Sequence, residues 1–405
     1  MKKPELLAPA GDFESLEAAI AYGADAVYLG SKMFSMRTSS QNFDHEELCS
    51  AVEYAHEKGA KIYLTCNTLP RNDEIDALPG FFEMAKDAGV DAFIVSDLGV
   101  METAKKYAPE IELHASTQTG IVNYASANAL YSMGVKRVVL AREMSLKEIS
   151  ALRDNTPRLL EIETFVHGAM CVSFSGRCLL STYLTSRDAN RGQCAQPCRW
   201  SYTLSENTRP GVYMPVFEDD MGTHILNARD LCMIEHIPEL VRAGITSFKI
   251  EGRAKSAYYT AVVTNAYRIA IDRYFEQRDD YAFDETLLDE VKKVSHRDYC
   301  TGFYFGPIEK GQVYEGAAYI RDWDIAAKVI GNENGLAVCL ERNPFSTLDT
   351  FELVEPGKTG RQVIVRQIFN ESGEKIARAV HPGMRVWLDI GEHPSVNAIL
   401  RKIPR

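Results

Sequence analysis

The sequence predicts an α/β protein, a (β/α)8 TIM-like barrel with a cysteine-rich insertion between strands seven and eight, followed by a small C-terminal antiparallel β-barrel domain. Three observations carry this. Short apolar strands alternate with helical stretches through the first 145 residues, four of nine cysteines crowd into one excursion after the seventh strand, and beyond about residue 310 the chain breaks into short strands separated by turn residues. The expected domains are residues 1–300 for the barrel, with the insertion at about 168–231, and residues 310–405 for the appendage.

In chain order the strands are ELLAPA from Glu5, DAVYLG from Asp25, KIYLTC from Lys61, AFIVSD from Ala92, ELHAST from Glu112 and RVVLA from Arg137. Between them lie helical stretches such as FESLEAAIAYG, which end at Gly23, Gly59, Gly89 and Gly134, where a left-handed helix cap favours a residue without Cβ. Strand followed by helix, repeated, means a parallel sheet. LEIETFVHG from Leu160 and SFKIEG from Ser247 add strands seven and eight, and eight units close a barrel. A doubly wound open sheet is the competing architecture. The appendage is read from VYEGAAYI, DIAAKVIG, GLAVCLER, DTFELVE, RQVIVRQIF and MRVWLDI, short segments of alternating polarity in an antiparallel pattern.

Barrels of this kind place their chemistry in the loops at the carboxyl ends of the strands. The residues there are Pro9 and Gly11, Gly30, Asn67, Asp97, Ser116 with Thr117 and Gln118, Arg142 with Glu143, His167, and Glu251 with Arg253. Arg253 stands on a loop opening a helix, a position from which its planar fork can clamp a carboxylate. Lys249 flanks Glu251 on the other side, and Gln118 and Asn67 join the ring as substrate-facing groups. The catalytic candidates are His114, Glu251 and His167. The bland alternatives are a hydrogen-bonded interior histidine at 114, an Arg253–Glu251 pair and an Arg142–Glu143 pair. Gly11 and Gly30 fit tight turns or helix entry, because neither lies in a full glycine-rich fingerprint.

The cysteines Cys171, Cys178, Cys194 and Cys198 are spaced C-x6-C-x15-C-x3-C among glycines, arginines and small polar residues. Core cysteines sit among aliphatic residues at helical or strand spacing, which RGQCAQPCRW lacks. The opening MKKPELLAPAGDFE has no signal-peptide core, so a reducing cytoplasmic setting is expected and structural disulfides are not. Four thiolates without histidine suit a 4Fe–4S cluster or zinc, and the uneven spacing favours the cluster. Cys232, read as near the start of a helix LCMIEHIPELVRAG, competes as a fourth ligand but is better explained by burial. Cys49, Cys66, Cys300 and Cys339 read as packing residues. Elsewhere in the insertion, Tyr202–Met214 is expected to form a hairpin, and Glu218, Asp219 and Asp220 read as a solvated face.

Glu163, Phe165, Gly168, Cys171, Gly176, Cys178 and Ser181 match the pattern E-x-F-x2-G-[SA]-x-C-x4-G-x-C-x2-S. With GRCLLS, SRDANRGQC, CRW, NARDLC, FKIEGR and TGFYFG, the chain resembles the collagenase-like U32 peptidase family over nearly its whole length, and the C-terminal domain resembles that family's small β-barrel appendage. The resemblance implies an iron-sulfur protein that hydroxylates RNA bases or quinone rings. It implies in particular the oxygen-independent, prephenate-dependent 5-hydroxylation of wobble uridine in transfer RNA, or of a ribosomal RNA cytidine. Chain length and the single appendage fit the transfer-RNA relatives. Prephenate is a small dicarboxylate co-substrate, for which Arg253, Arg142 and Lys249 are natural clamps. The remaining classes are a peptidase with a cysteine nucleophile near His167, although H-E-x-x-H and G-x-S-x-G are absent, and a zinc-held scaffold.

Charge bears on the partner. The chain carries −11, which disfavours broad nonspecific nucleic-acid binding. From Lys310 onward 13 Lys and Arg face 12 Asp and Glu, which leaves −12 on the barrel. Arg177, Arg187, Arg191 and Arg199 either form a local basic surface around the cysteines or hydrogen-bond the cysteine loop. No apolar run approaches the roughly 18 residues of a membrane span, so no membrane partner is expected. A protein partner or a homo-oligomer stays open.

Overall fold

The βα alternation folds into β1 (Glu5–Pro9), β2 (Ala26–Gly30), β3 (Lys61–Cys66), β4 (Ala92–Val95), β5 (Glu112–Ala115), β6 (Arg137–Val139) and β7 (Glu161–Ala169), then, past the insertion, a short β8 (Asp230–Cys232) and the last barrel strand β9 (Ser247–Ile250). The computed structural model describes residues 2–36, 41–171, 173–174, 178–189, 192–197, 204–205, 213–214, 217–219, 222–224, 229–306 and 319–403. Helices α1 (Phe13–Ala21), α2 (His45–Glu57), α3 (Leu78–Asp87), α4 (Leu98–Tyr107), α5 (Tyr124–Ser132) and α6 (Leu146–Asp154) fill the crossovers between β1 and β7. Their starts are written in the sequence. Asp44 with Glu47 and Ser145 with Glu148 form reciprocal capping boxes, and the Asp12 carboxylate accepts from the Ser15 amide at 2.8 Å. Four of them, α1, α2, α3 and α5, end as expected at Gly23, Gly59, Gly89 and Gly134, all at positive φ.

Closure decides between the two architectures. β9 pairs in parallel with β1 on one side, Ser247 opposite Glu5, and with β7 on the other, Ser247 opposite Glu163. The ring of eight parallel strands is therefore shut, and the open doubly wound order is excluded.

β7 is nine residues long and outruns its barrel partners, so its last backbone groups need another ladder. β8 supplies it, lying antiparallel with Cys232 opposite His167, and β10 (Tyr299–Cys300) continues the sheet beside β8. Cys232 is thus a strand residue and does not begin a helix. The helix in that stretch is only α8 (Ile237–Arg242), because tertiary pairing overrides the apolar helical pattern before it. In the insertion, α7 (Leu180–Thr185) is followed by two hairpins, Leu204–Ser205 with Tyr213–Met214 and Phe217–Asp219 with Gly222–His224, the first where the sequence places one. No helix among the described residues is long and apolar enough to cross a membrane.

The C-terminal strands are β11 (Asp324–Glu333), β12 (Leu336–Glu341), β13 (Phe351–Val354), β14 (Arg361–Val363), β15 (Gln367–Phe369), β16 (Lys375–Ile376), β17 (Arg385–Asp389) and β18 (Ile399–Lys402). They form one antiparallel half-barrel in the order β14-β13-β18-β11-β12-β17-β15-β16 around a core that includes Val329, Phe351, Val386 and Leu400. This domain is bolted to the barrel between α9 (Ala257–Gln277) and α10 (Thr286–Lys292). Tyr22 donates to the Val354 and Asn397 carbonyls at 3.0 and 2.9 Å, and Val354 and Ile399 pack into the barrel's own apolar cluster. Arg401, fully buried, reaches Glu290 of α10 and Glu352 of β13 at 2.6 Å each. A buried guanidinium held by two carboxylates ties the domain to the barrel, since removing either carboxylate weakens its hold on a buried charge.

Candidate active site at the barrel mouth

A cavity of about 630 Å³ opens at the carboxyl ends of the strands, and Asn67, Gln118, Arg142, Lys249, Glu251 and Arg253 line it. Cys171, Cys178 and Cys194 line the same cavity from the insertion. β7 ends where the excursion begins, so the loop leaves the barrel at the rim and lies over the mouth.

Arg253 is 4 % exposed, and its Nη1 donates to Ser35 Oγ at 2.7 Å and Thr65 Oγ1 at 3.1 Å. Glu251 instead meets Arg142, whose Nη2 lies 3.5 Å from its Oε2 while Nη1 donates to the Ala169 carbonyl at 2.9 Å. The Arg142 guanidinium also stacks over Phe165, 3.9 Å from the ring centre. Neither sequence-neighbour pairing forms as its expectation has it. The reason is topological: β9 is hydrogen-bonded to both β7 and β1, so Glu251 turns towards the β6 loop and Arg253 crosses towards β2 and β3. Gly30 is not a turn glycine either. It ends β2 under Arg253, and a Cβ there would collide with Arg253 Nη1 and Ser35 Oγ.

Lys249 sits on the cavity floor with Nζ 2.8 Å from Glu163 Oε1 and 4.4 Å from the centre of the Tyr28 ring. Below it a polar network fills the barrel. Arg137 Nη1 bonds Glu163 at 3.0 Å and Glu5 at 2.5 Å, and Ser247 Oγ approaches both carboxylates. Burial alone would raise the Glu163 carboxyl, yet Lys249 and Arg137 beside it hold it below its ordinary range. Sequence patterning gives no sign of this network, because charged residues in apolar strands look like interruptions until the ring closes and brings them together.

Both histidine candidates lie off the cavity. His114 is fully buried in β5 against the edge of Tyr63 at 4.7 Å, and burial with Arg137 nearby pushes its pKa well down. His167 lies within β7, not past it, walled by Tyr259, Tyr267 and Tyr299, and burial pushes it down to about 3. Among the described residues no histidine lines the cavity. Glu251 is the catalytic candidate that does. The two neutral histidines have a thermodynamic consequence. Below their unfolded pKa of 6.5 the unfolded chain binds protons that the folded chain refuses, so stability falls with pH by up to about 1.4 kcal/mol per unit for each. Urea unfolding at pH 7.0, 6.3 and 5.6, above the titration of ordinary carboxylates, is expected to show that slope. In His167→Gln the slope should shrink by one proton, and an unchanged slope would contradict the assignment.

Of the three described loop cysteines, Cys171 is exposed and Cys178 and Cys194 are half-buried. The Leu180 amide donates to Cys178 Sγ and the Gln196 amide to Cys194 Sγ, both at 3.4 Å. Cys198, Arg177, Arg191 and Arg199 lie outside the described residues, while Arg187 is exposed. Among the described residues no three His, Cys, Asp or Glu side chains converge on a point as one metal ion would require. Tetrahedral zinc asks for sulfurs about 2.3 Å from a single centre, whereas a cubane distributes its thiolates over several irons. The described donor set is thiol-only and amide-supported, the kind that either a cluster or zinc takes. Cys232 is 5 % exposed, does not line the cavity, and has its thiol pushed up to about 12 by burial.

The sequence reading missed the wall opposite the cysteines, which includes Lys255, Arg297, Tyr319, Arg321 and Trp323. These residues come from the β9–α9 loop, from beyond α10 and from the segment leading into β11, and nothing in their local sequence links them. With them counted, six cations (Arg142, Lys249, Arg253, Lys255, Arg297, Arg321) face three carboxylates (Glu143, Glu251, Asp324) among the described lining residues. A chain of net charge −11 therefore presents an electropositive cavity.

Comparison with known proteins agrees with this geometry. The family model described as peptidase family U32 matches residues 11–313, and that described as the peptidase family U32 C-terminal domain matches residues 321–401. The "tRNA hydroxylation protein P1" of Bacillus subtilis (strain 168) is 38 % identical over 94 % of this chain and 90 % of its own length. An uncharacterised protease of Methanocaldococcus jannaschii is 45 % identical over 77 % of this chain and 75 % of its own. The "23S rRNA 5-hydroxycytidine C2501 synthase" of Escherichia coli (strain K12) is 37 % identical over 76 % of this chain but only 46 % of its own length.

Proposed function

Given that the chain belongs to peptidase family U32 and carries that family's C-terminal domain, we propose that it hydroxylates a transfer-RNA base, the wobble uridine at C5, in the cytoplasm. The observation that carries this is the meeting of thiols and excess cations in one cavity: a site built for a polyanion beside a cluster of soft ligands. The relative named for tRNA hydroxylation aligns over 94 % of this chain and 90 % of its own length, whereas the rRNA synthase aligns over less than half of its own. A peptidase reading lacks its base, since no described histidine stands on the cavity beside Cys171, Cys178 or Cys194.

In this proposal Cys171, Cys178, Cys194 and Cys198 hold a 4Fe–4S cluster, which supplies one-electron redox capacity at the mouth. Prephenate is the co-substrate. Arg253, pre-oriented by Ser35 and Thr65, and Arg142, flattened on Phe165, bind its carboxylates, with Lys249 adding charge from the floor. Glu251, steered by Arg142, is the group placed to accept or return a proton at the reacting base. Asn67 and Gln118 contribute neutral hydrogen-bonding edges to the base.

Mass spectrometry of transfer-RNA nucleosides from a deletion strain tests the reading. Hydroxylated wobble uridine is expected to vanish on deletion, return with the wild-type chain, and stay at background with Cys194→Ala. Anaerobically purified wild-type protein should absorb near 400 nm, and Cys194→Ala should lose most of that band. Identical nucleoside profiles in all strains would sink the proposal.

A further inference from the structure

We propose that the outer wall of the cavity is a phosphate subsite that holds the RNA backbone beside the target nucleotide, with Lys255 and Arg321 as its cations. The inference rests on the reading above that the substrate is RNA, and adds where its backbone lies.

The wall is assembled across the domain junction. Lys255 Nζ lies 4.1 Å from the centre of the Tyr319 ring and the Arg297 guanidinium 4.7 Å from it, so one ring gathers cations from two different loops. Four residues on from Tyr319, Trp323 meets Lys293 at 5.0 Å and the clamped Arg401 at 5.3 Å. Arg321 stands between these rings in sequence, its side chain 64 % exposed and 2.8 Å from Asp324. Lys255 is further fixed by donating to the Ser295 carbonyl at 3.0 Å. The segment carrying Tyr319, Arg321 and Trp323 is thereby held against the barrel, and its cations line the cavity in which the cysteines lie.

Size and depth then assign the two groups of cations. A cavity near 630 Å³ is of small-molecule dimensions, enough for one base with a small co-substrate but not for a strand, so the flanking backbone has to lie on the rim. Arg142, Lys249 and Arg253 have side chains buried in the floor and inner wall, suited to carboxylates that enter fully. Lys255 and Arg321 stand further out, where a phosphodiester remaining in solvent can reach them. Cations braced by aromatic rings are a recurrent means of holding single-stranded RNA, and phosphate contacts place the chain without reading its sequence. The C-terminal domain, on this account, completes the RNA site.

The test uses the full chain with its metal loaded and a fluorescent anticodon stem-loop RNA, titrated at several KCl concentrations. Arg321→Gln, on an exposed side chain, is expected to weaken binding about fivefold at moderate salt and to flatten the slope of log K against log salt by about 0.7, the value for one phosphate contact on a single strand. Lys255→Gln combined with Arg321→Gln should lower the slope by about twice that amount, with the absorption near 400 nm unchanged. Wild-type binding with the same affinity and slope in both variants would overturn the subsite and leave the proposed function standing. No RNA binding by the wild type at low salt, or a preference for polyglutamate over RNA, would overturn both.

Discussion

Gly30→Ala is expected to reduce hydroxylation by about 10²-fold while leaving the barrel folded, because the residue it disturbs is the proposed carboxylate clamp Arg253 and not a core side chain. The added methyl would overlap Arg253 Nη1 and Ser35 Oγ and come within 2.7 Å of Asn42 Oδ1. β2 is hydrogen-bonded on both sides and cannot retreat, whereas the guanidinium is the end of a long side chain. Arg253 therefore moves, giving up its bonds to Ser35 and Thr65 and its place on the cavity wall. The measurement is the hydroxylated fraction of transfer RNA in a complemented deletion strain, with soluble protein and melting temperature recorded in parallel. Gly80→Ala, in α3 with open space around its Cβ, is the control, expected to keep activity and to gain up to about 1 kcal/mol of stability from helix propensity. Full activity in Gly30→Ala would remove Arg253 from the site.

Glu163→Ala is expected to destabilise the fold by about 3–5 kcal/mol, the loss that follows when one member of a buried ion pair is removed. Glu163 is fully buried and bonded to Lys249 at 2.8 Å and Arg137 at 3.0 Å. Arg137 keeps Glu5 and Glu161, but Lys249 is left in the barrel with only the Tyr28 and Phe165 rings. Denaturant unfolding measures the effect. The double variant Glu163→Leu/Lys249→Met should recover most of the lost stability, since replacing both charges by apolar groups removes the desolvation penalty together with the attraction. It should not recover activity, because the floor of the cavity then lacks a cation. A Glu163→Ala loss below about 1 kcal/mol would mean that the network is solvated and not a closed interior circuit.

Much of this was legible in order along the chain. Period, caps and terminating glycines located all eight barrel strands, and the carboxyl-end rule picked out Asn67, Gln118, Arg142, Glu251 and Arg253, all of which line one cavity. The rule misplaced His167, since β7 runs on to Ala169 and carries that ring within the strand into a cage of tyrosines. It also assigned Arg253 to Glu251 and Arg142 to Glu143 as alternatives, because adjacency in sequence is a poor guide to pairing where strands from opposite parts of the chain meet.

What the sequence determined by itself is everything that depends on neighbours along the chain: strand and helix alternation, helix boundaries, and four cysteines in one excursion after the seventh strand. Only the tertiary structure decided who faces whom. Closure of β9 onto β1 and β7 put Lys249 over Glu163, sent Glu251 to Arg142 and Arg253 to Ser35 and Thr65, and docking of the half-barrel brought Tyr319, Arg321 and Trp323 to the same cavity. Electrostatic and hydrogen-bond partners are chosen by distance in space, and in a closed ring the residues nearest in space include some of the most distant in sequence.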